Sequence, residues 1–136
     1  MEIDFPVEFI VYGTAVSLQA SRKSKNAWKT EVKTAGYAAL PQGHFWYEGR
    51  AALTLYYFPS ETMIGDVDNI IKTAQDALSK HILKDDNQID RVVVQRFNPD
   101  ATFEFTDPSI ILQTALFSAE SALYVKISND PYEDLL

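Results

Sequence analysis

The chain has 136 residues, 46% of them apolar, which is enough for one hydrophobic core and short of what a membrane protein needs. It has no cysteine and only two histidines, His44 and His81, which excludes disulfides, thiolate zinc sites and a cysteine nucleophile and leaves any metal to carboxylates. The net charge of -7 argues against a general nucleic-acid coat; an acidic start (Glu2, Asp4, Glu8) and no apolar run near the roughly 18 residues of a bilayer span argue for a cytoplasmic protein without membrane contact.

Residues 5–12 are rich in β-branched and aromatic side chains and read as a strand, which Gly13 breaks, with a further short extended run to about Gln19. From Lys25 the period changes. Trp28, Val32, Ala35 and Ala39 recur at i, i+4, i+7 and i+11, one face of a helix, although Gly36 weakens its last turn. Pro41, Gly43 and Gly49 mark a loop, and residues 50–58 form a second strand ended by Pro59. Asp68 then suits an N-cap for a helix to about Lys80, with Ile70 or Ile71, Ala74, Ala77 and Leu78 as its apolar stripe. Turn formers at 84–87 lead into a third strand, Ile89 to Phe97. A helix opening near Pro108, with Ile110, Ile111, Thr114, Ala115 and Phe117, and a strand from Ala122 to Ile127 complete the order. The alternation β, α, β, α, β, α, β predicts an α/β domain, a single sheet with helices packed on it, over residues 1–128; residues 129–136 are expected to be an acidic, frayed tail.

Asp66 and Asp68 are two apart in what should be an extended lead-in to the second helix, a spacing that sends both carboxylates to the same side. Paired carboxylates suit a hard cation such as magnesium, which keeps positions for water and phosphate. Lys72, four residues after Asp68, faces the same way from the first helical turn, where its ammonium can meet phosphate or orient water. Alone, Asp-x-Asp more often marks a solvated turn with a helix cap.

The run from Gly65 to Leu78, containing Asp66-Val67-Asp68-Asn69-Ile70-Ile71-Lys72 and ending in Asp76-Ala77-Leu78, is followed by Lys84-Asp85-Asp86-Asn87-Gln88-Ile89. It resembles the central block of the RusA crossover junction endonucleases, in which Asp-x-Asp-Asn-x-x-Lys opens a helix ending in Asp-Ala-Leu and an Asp-Asp pair precedes the next strand. The resemblance is dense over about residues 65–96. A weaker likeness covers Tyr12 to Gln19, where Ala15 stands for the usual proline, and the terminal strand. It implies a single RusA-like domain with a mixed sheet, acting as a homodimer on branched DNA. It implies Asp66, Asp68 and Asp86 as ligands of Mg2+, with Mn2+ an alternative, and Lys72 as an aid to cleavage; Asp85 substitutes for Asp86 if the turn shifts by one. Two departures stand out: residues 62–65 carry no base before the first motif aspartate, and 98–121 is longer than the family loop.

Arg22, Lys25, Lys29 and Lys33 fall at i, i+3, i+7 and i+11 and form a basic stripe, either a solvated face or, beside a nuclease motif, a track for DNA phosphates. His44-Phe45-Trp46-Tyr47 is an aromatic loop, expected to pack against the core or a partner subunit before stacking on unpaired bases. Three functions follow: a metal-dependent endonuclease resolving Holliday junctions or other branched DNA, a RusA-like module that binds DNA or protein without cutting, and a structural phage or host-takeover protein.

Overall fold

A computed structural model describes residues 2–14, 22–62, 67–79 and 81–133, without the side chains of residues 22, 68 and 69. Four strands, β1 (Val7–Tyr12), β2 (Ala51–Phe58), β3 (Ile89–Arg96) and β4 (Ala122–Ser128), form one sheet in the order β1-β4-β2-β3. β4 lies antiparallel to both β1 and β2, while β2 and β3 are parallel. A parallel pair requires a crossover, and α2 (Asp68–Leu78) supplies it; α1 (Arg22–Ala38) and α3 (Ile110–Leu116) are the other helices. The single α/β domain expected from the sequence, with its mixed sheet, is what forms.

Alternation along the strands sorts the core. Val7, Phe9 and Val11 of β1, Leu53, Leu55 and Tyr57 of β2, and Leu123, Val125 and Ile127 of β4 all point to one face. There they meet Trp28 and Val32 of α1 and Ile70, Ala74, Ala77 and Leu78 of α2, the stripe that the helical period specifies. Gly36 serves a packing need, since a Cβ there would lie 3.2 Å from Ile82 and 3.3 Å from the Phe9 ring. On the opposite face, Leu112 and Ala115 of α3 rest on Ala122 and Tyr124. Phe103 and Phe105, from the segment after β3, extend this layer over Phe97, Phe58 and Tyr56. The long segment 98–121 is thus part of the cover of the second face.

Several boundaries differ from expectation. Val67, not Asp68, is the N-cap of α2, with no side-chain cap hydrogen bond, so position 68 is the first helical residue. α2 stops at Leu78, two residues early, because the Ser79 backbone turns extended, with φ -65° and ψ 132°. On α3 the buried positions are Leu112 and Ala115, while Ile110 and Phe117 are 81% and 84% exposed. The tail does not fray at once: Pro131 is buried, Ser128 donates to the Glu133 carboxylate at 3.0 Å and Lys126 pairs with Glu133 at 3.2 Å. Among the described residues, no helix is long and apolar enough to cross a membrane.

Candidate active site

Asp85 and Asp86 open a single 3-10 turn, Asp86–Gln88, that leads into β3, and the turn assigns the two carboxylates different work. Asp85 is its N-cap. Its side chain accepts from the Asn87 N–H at 3.3 Å, and the Gln88 side-chain oxygen accepts from the Asp85 N–H at 2.8 Å, a reciprocal capping box. Gln88 is buried, and its amide nitrogen also donates to the carbonyls of Tyr47 at 2.7 Å and Gly49 at 2.8 Å. One side chain therefore ties the Asp-Asp turn to the segment entering β2. The pattern Asp-x-x-Gln is a capping-box signal that the reading of 84–87 as turn formers passed over; the Tyr47 and Gly49 partners carry no local signal, because they lie some forty residues away.

Asp86 remains exposed. Its carboxyl is raised above the usual range, first by a hydrogen bond shared with the Asp85 side chain, then by partial loss of water and by the charges of Asp85 and Asp76. Asp76, which sequence reasoning did not single out, thus faces the same corner from the last turns of α2. The exposed Asp86 carboxylate, with Asp85 and Asp76 near it, offers the oxygen-donor chemistry that a hard divalent cation takes. No group of three or more metal-ligating side chains occurs among the described residues.

Position 68 belongs to the far end of α2. Because α2 returns from the end of β2 to the start of the parallel β3, it runs antiparallel to both. The Leu78 carbonyl accepts from the Leu83 N–H at 3.2 Å, and Leu83 bridges to Tyr47, which places the C-terminal end of α2 beside the beginning of β2. Asp86 sits at that end. Position 68 opens the helix at the other end, and the eleven residues of α2 span about 16 Å at ~1.5 Å each. Lys72 is exposed one turn in from position 68. Asp66 and the Asp68 side chain lie outside the described residues. Within one chain, the topology brings Asp86 next to Asp76 and not to the helix start.

The basic stripe lies on α1, whose C-terminal end is at the Asp86 side of the sheet. Lys25, Lys29 and Lys33 are half-buried along the flank of the face carrying Trp28 and Val32; the Arg22 side chain is outside the described residues. The stripe borders α2: burial first, then the ammonium groups of Lys33 and Lys29, hold the His81 imidazole below its ordinary range. The Tyr37 hydroxyl shares a 2.8 Å hydrogen bond with His81 Nδ1. Of the aromatic loop, Tyr47 packs against Phe5 with ring centres 4.6 Å apart, and His44 leans on Tyr37; Phe45 and Trp46 stay 70% and 49% exposed.

No curated protein matches the chain. A family model, that of the endodeoxyribonuclease RusA, matches residues 10–104, which include the end of β1, both halves of the acidic motif and the whole parallel β2-α2-β3 unit. With more than half of its length so matched, the chain belongs to the RusA family of endodeoxyribonucleases.

Proposed function

We propose that the protein is a magnesium-dependent, structure-specific DNA endonuclease that resolves Holliday junctions or other branched DNA by phosphodiester hydrolysis, and that it works as a homodimer. The observation that carries this reading is the division of labour in the Asp-Asp turn. Asp85 is consumed by the capping box, while Asp86 is held outward with its carboxylate crowded and available. Asp66, Asp68 and Asp86 would hold the cation, which when bound polarises a phosphoryl oxygen and lowers the pKa of a bound water. Manganese would suit the same oxygen donors.

The chain's own residues divide the remaining work. Lys72 offers an exposed ammonium to the scissile phosphate one turn from position 68. Arg22, Lys25, Lys29 and Lys33 of α1 would track the flanking phosphates. Because position 68 and Asp86 stand at opposite ends of α2, each centre would be shared: Asp66 and Asp68 of one copy with Asp86 of a two-fold-related copy. A symmetric pair of shared centres also provides the paired incisions that a four-way junction needs.

Complementation tests this directly. Asp68→Asn and Asp86→Asn should each be inactive on a four-way junction in magnesium. Mixed after unfolding and refolding together, they should recover about a quarter of the wild-type centres, because random pairing makes half the dimers mixed and each of these has one intact centre. Absence of recovery, with dimers present, would rule out the shared centre. The net charge of -7 favours a second reading, a RusA-like module that binds DNA or protein without cutting. Wild-type protein that binds the junction but leaves it whole in magnesium or manganese would establish it.

A further inference from the structure

Beside Asp86 opens a groove of about 560 Å³ lined by Trp46, Glu48, Arg50, Lys84, Asp85, Asn87 and Gln88. Its cations are already engaged. The Arg50 guanidinium pairs with Asp90, donating from Nε at 2.8 Å, and also donates to the Asn87 carbonyl at 2.7 Å; Lys84 reaches Glu48 at 3.3 Å. The groove therefore has a balanced charge and suits a phosphate poorly. One wall is an indole, and the rest is rimmed by amide, carboxylate and guanidinium edges.

The wall is also fastened. The Tyr47 N–H donates to the Ile82 carbonyl at 2.9 Å, the Lys84 N–H to the Tyr47 carbonyl at 3.3 Å, and His44 Nε2 is 2.9 Å from the His81 carbonyl. These bonds bracket Phe45 and Trp46 between two anchored residues. A tryptophan that leaves 49% of its surface in water, on a loop fastened at both ends, loses little entropy on meeting a flat partner. A nucleobase is such a partner, neutral, planar and hydrogen-bonding at its edge, and stacking accepts any base.

Resting on the nuclease reading above, we infer that this groove receives a nucleobase unstacked at the branch point, with Trp46 as its stacking platform, and so contributes selection of branched over linear DNA. A paired base inside a continuous duplex cannot present its face to the indole; a base at a junction can.

The test uses the intact protein, without divalent cation so that nothing is cut, on a four-way junction and a linear duplex of the same arm sequence. 2-Aminopurine replaces each branch-point adenine in turn. Wild-type protein should quench at least one of these probes through stacking and should not quench a probe placed within an arm. Trp46→Ala should lose that quenching and bind the junction about tenfold more weakly while duplex affinity stays within about twofold, and Trp46→Phe should recover most of both. Unquenched branch probes on bound wild-type protein would overturn the inference without any variant. Equal losses on junction and duplex would also overturn it, as would a shift from dimer to monomer in sedimentation with quenching retained, which would make Trp46 a subunit contact. If the wild type cuts junctions and Trp46→Ala binds and quenches as it does, only the groove assignment fails; if the wild type neither binds nor cuts any branched DNA, the nuclease reading falls as well.

Discussion

Gln88 satisfies three backbone groups, the Asp85 N–H and the Tyr47 and Gly49 carbonyls, from a position closed to water. Gln88→Leu keeps the volume and removes all three bonds, so it should destabilise the fold by about 1–3 kcal/mol, read from the urea midpoint. It should also free the Asp-Asp turn and reduce cleavage; unchanged stability would show that the box is not what holds the turn. The carboxylates themselves should behave in the opposite way. Asp68→Asn is expected to keep the fold and abolish cleavage, and cutting near the wild-type rate in magnesium would remove Asp68 from the site. Lys72→Ala, at an exposed position, should bind DNA normally and cut it poorly, so normal turnover would count against its role. At this scale the acidic residues were legible from their spacing and from the likeness to a family. Asp76 and Gln88 were not singled out, since each matters through a neighbour that only folding supplies.

Lys25, Lys29 and Lys33 of helix α1 are half-buried on the border of its buried face. If Lys29 and Lys33 contact phosphates, replacing both with glutamine should flatten the dependence of log affinity on log salt by up to about 1.8, at ~0.9 per phosphate on duplex DNA; an unchanged slope would leave them as a solvated face. Helix α3 is pinned in another manner. Ser109 caps it, accepting from the Leu112 N–H at 3.1 Å, and also donates to Glu8 of β1, which receives the Tyr124 hydroxyl of β4 as well, both at 2.5 Å. A short helix outside the matched span is thereby keyed to both antiparallel strands. The periodic stripes of α1 and α2 were readable because amphipathic helices on a sheet need them. On α3 the seven-residue length is too short for a period to resolve, and the apolar residues at both its ends proved to be exposed.

The whole fold should carry a signature of that key in its response to alkali. Burial, then the hydrogen bond to Glu8 and the Glu8 charge, raise the Tyr124 phenol well above its ordinary value of 10.0. A folded-state value raised in this way gives a contribution to stability that is complete below pH ~10, where the unfolded chain still holds its proton, and is lost as pH rises beyond that. Thermal midpoints measured from pH 8 to 11.5 should therefore fall more steeply for wild type than for Tyr124→Phe; parallel curves would mean that Tyr124 titrates as it does in the unfolded chain. The same molecule-wide view governs the active centre. The crossover that makes β2 and β3 parallel carries α2 back along the sheet, so that position 68 and Asp86 lie at opposite ends of the helix.

By itself the sequence determined the order of elements, the sorting of α1 and α2 by their apolar stripes, the absence of thiol chemistry and the acidic block that marks the family, because each of these is a matter of composition or of spacing along a few turns. The tertiary structure alone decided that Gln88 fastens the Asp-Asp turn to Tyr47 and Gly49, that Trp46 lines a groove while its neighbour Tyr47 is packed against Phe5, and that Asp86 lies at the opposite end of α2 from position 68. Those outcomes depend on contacts across forty residues and on the direction of a crossover, and no local period encodes either.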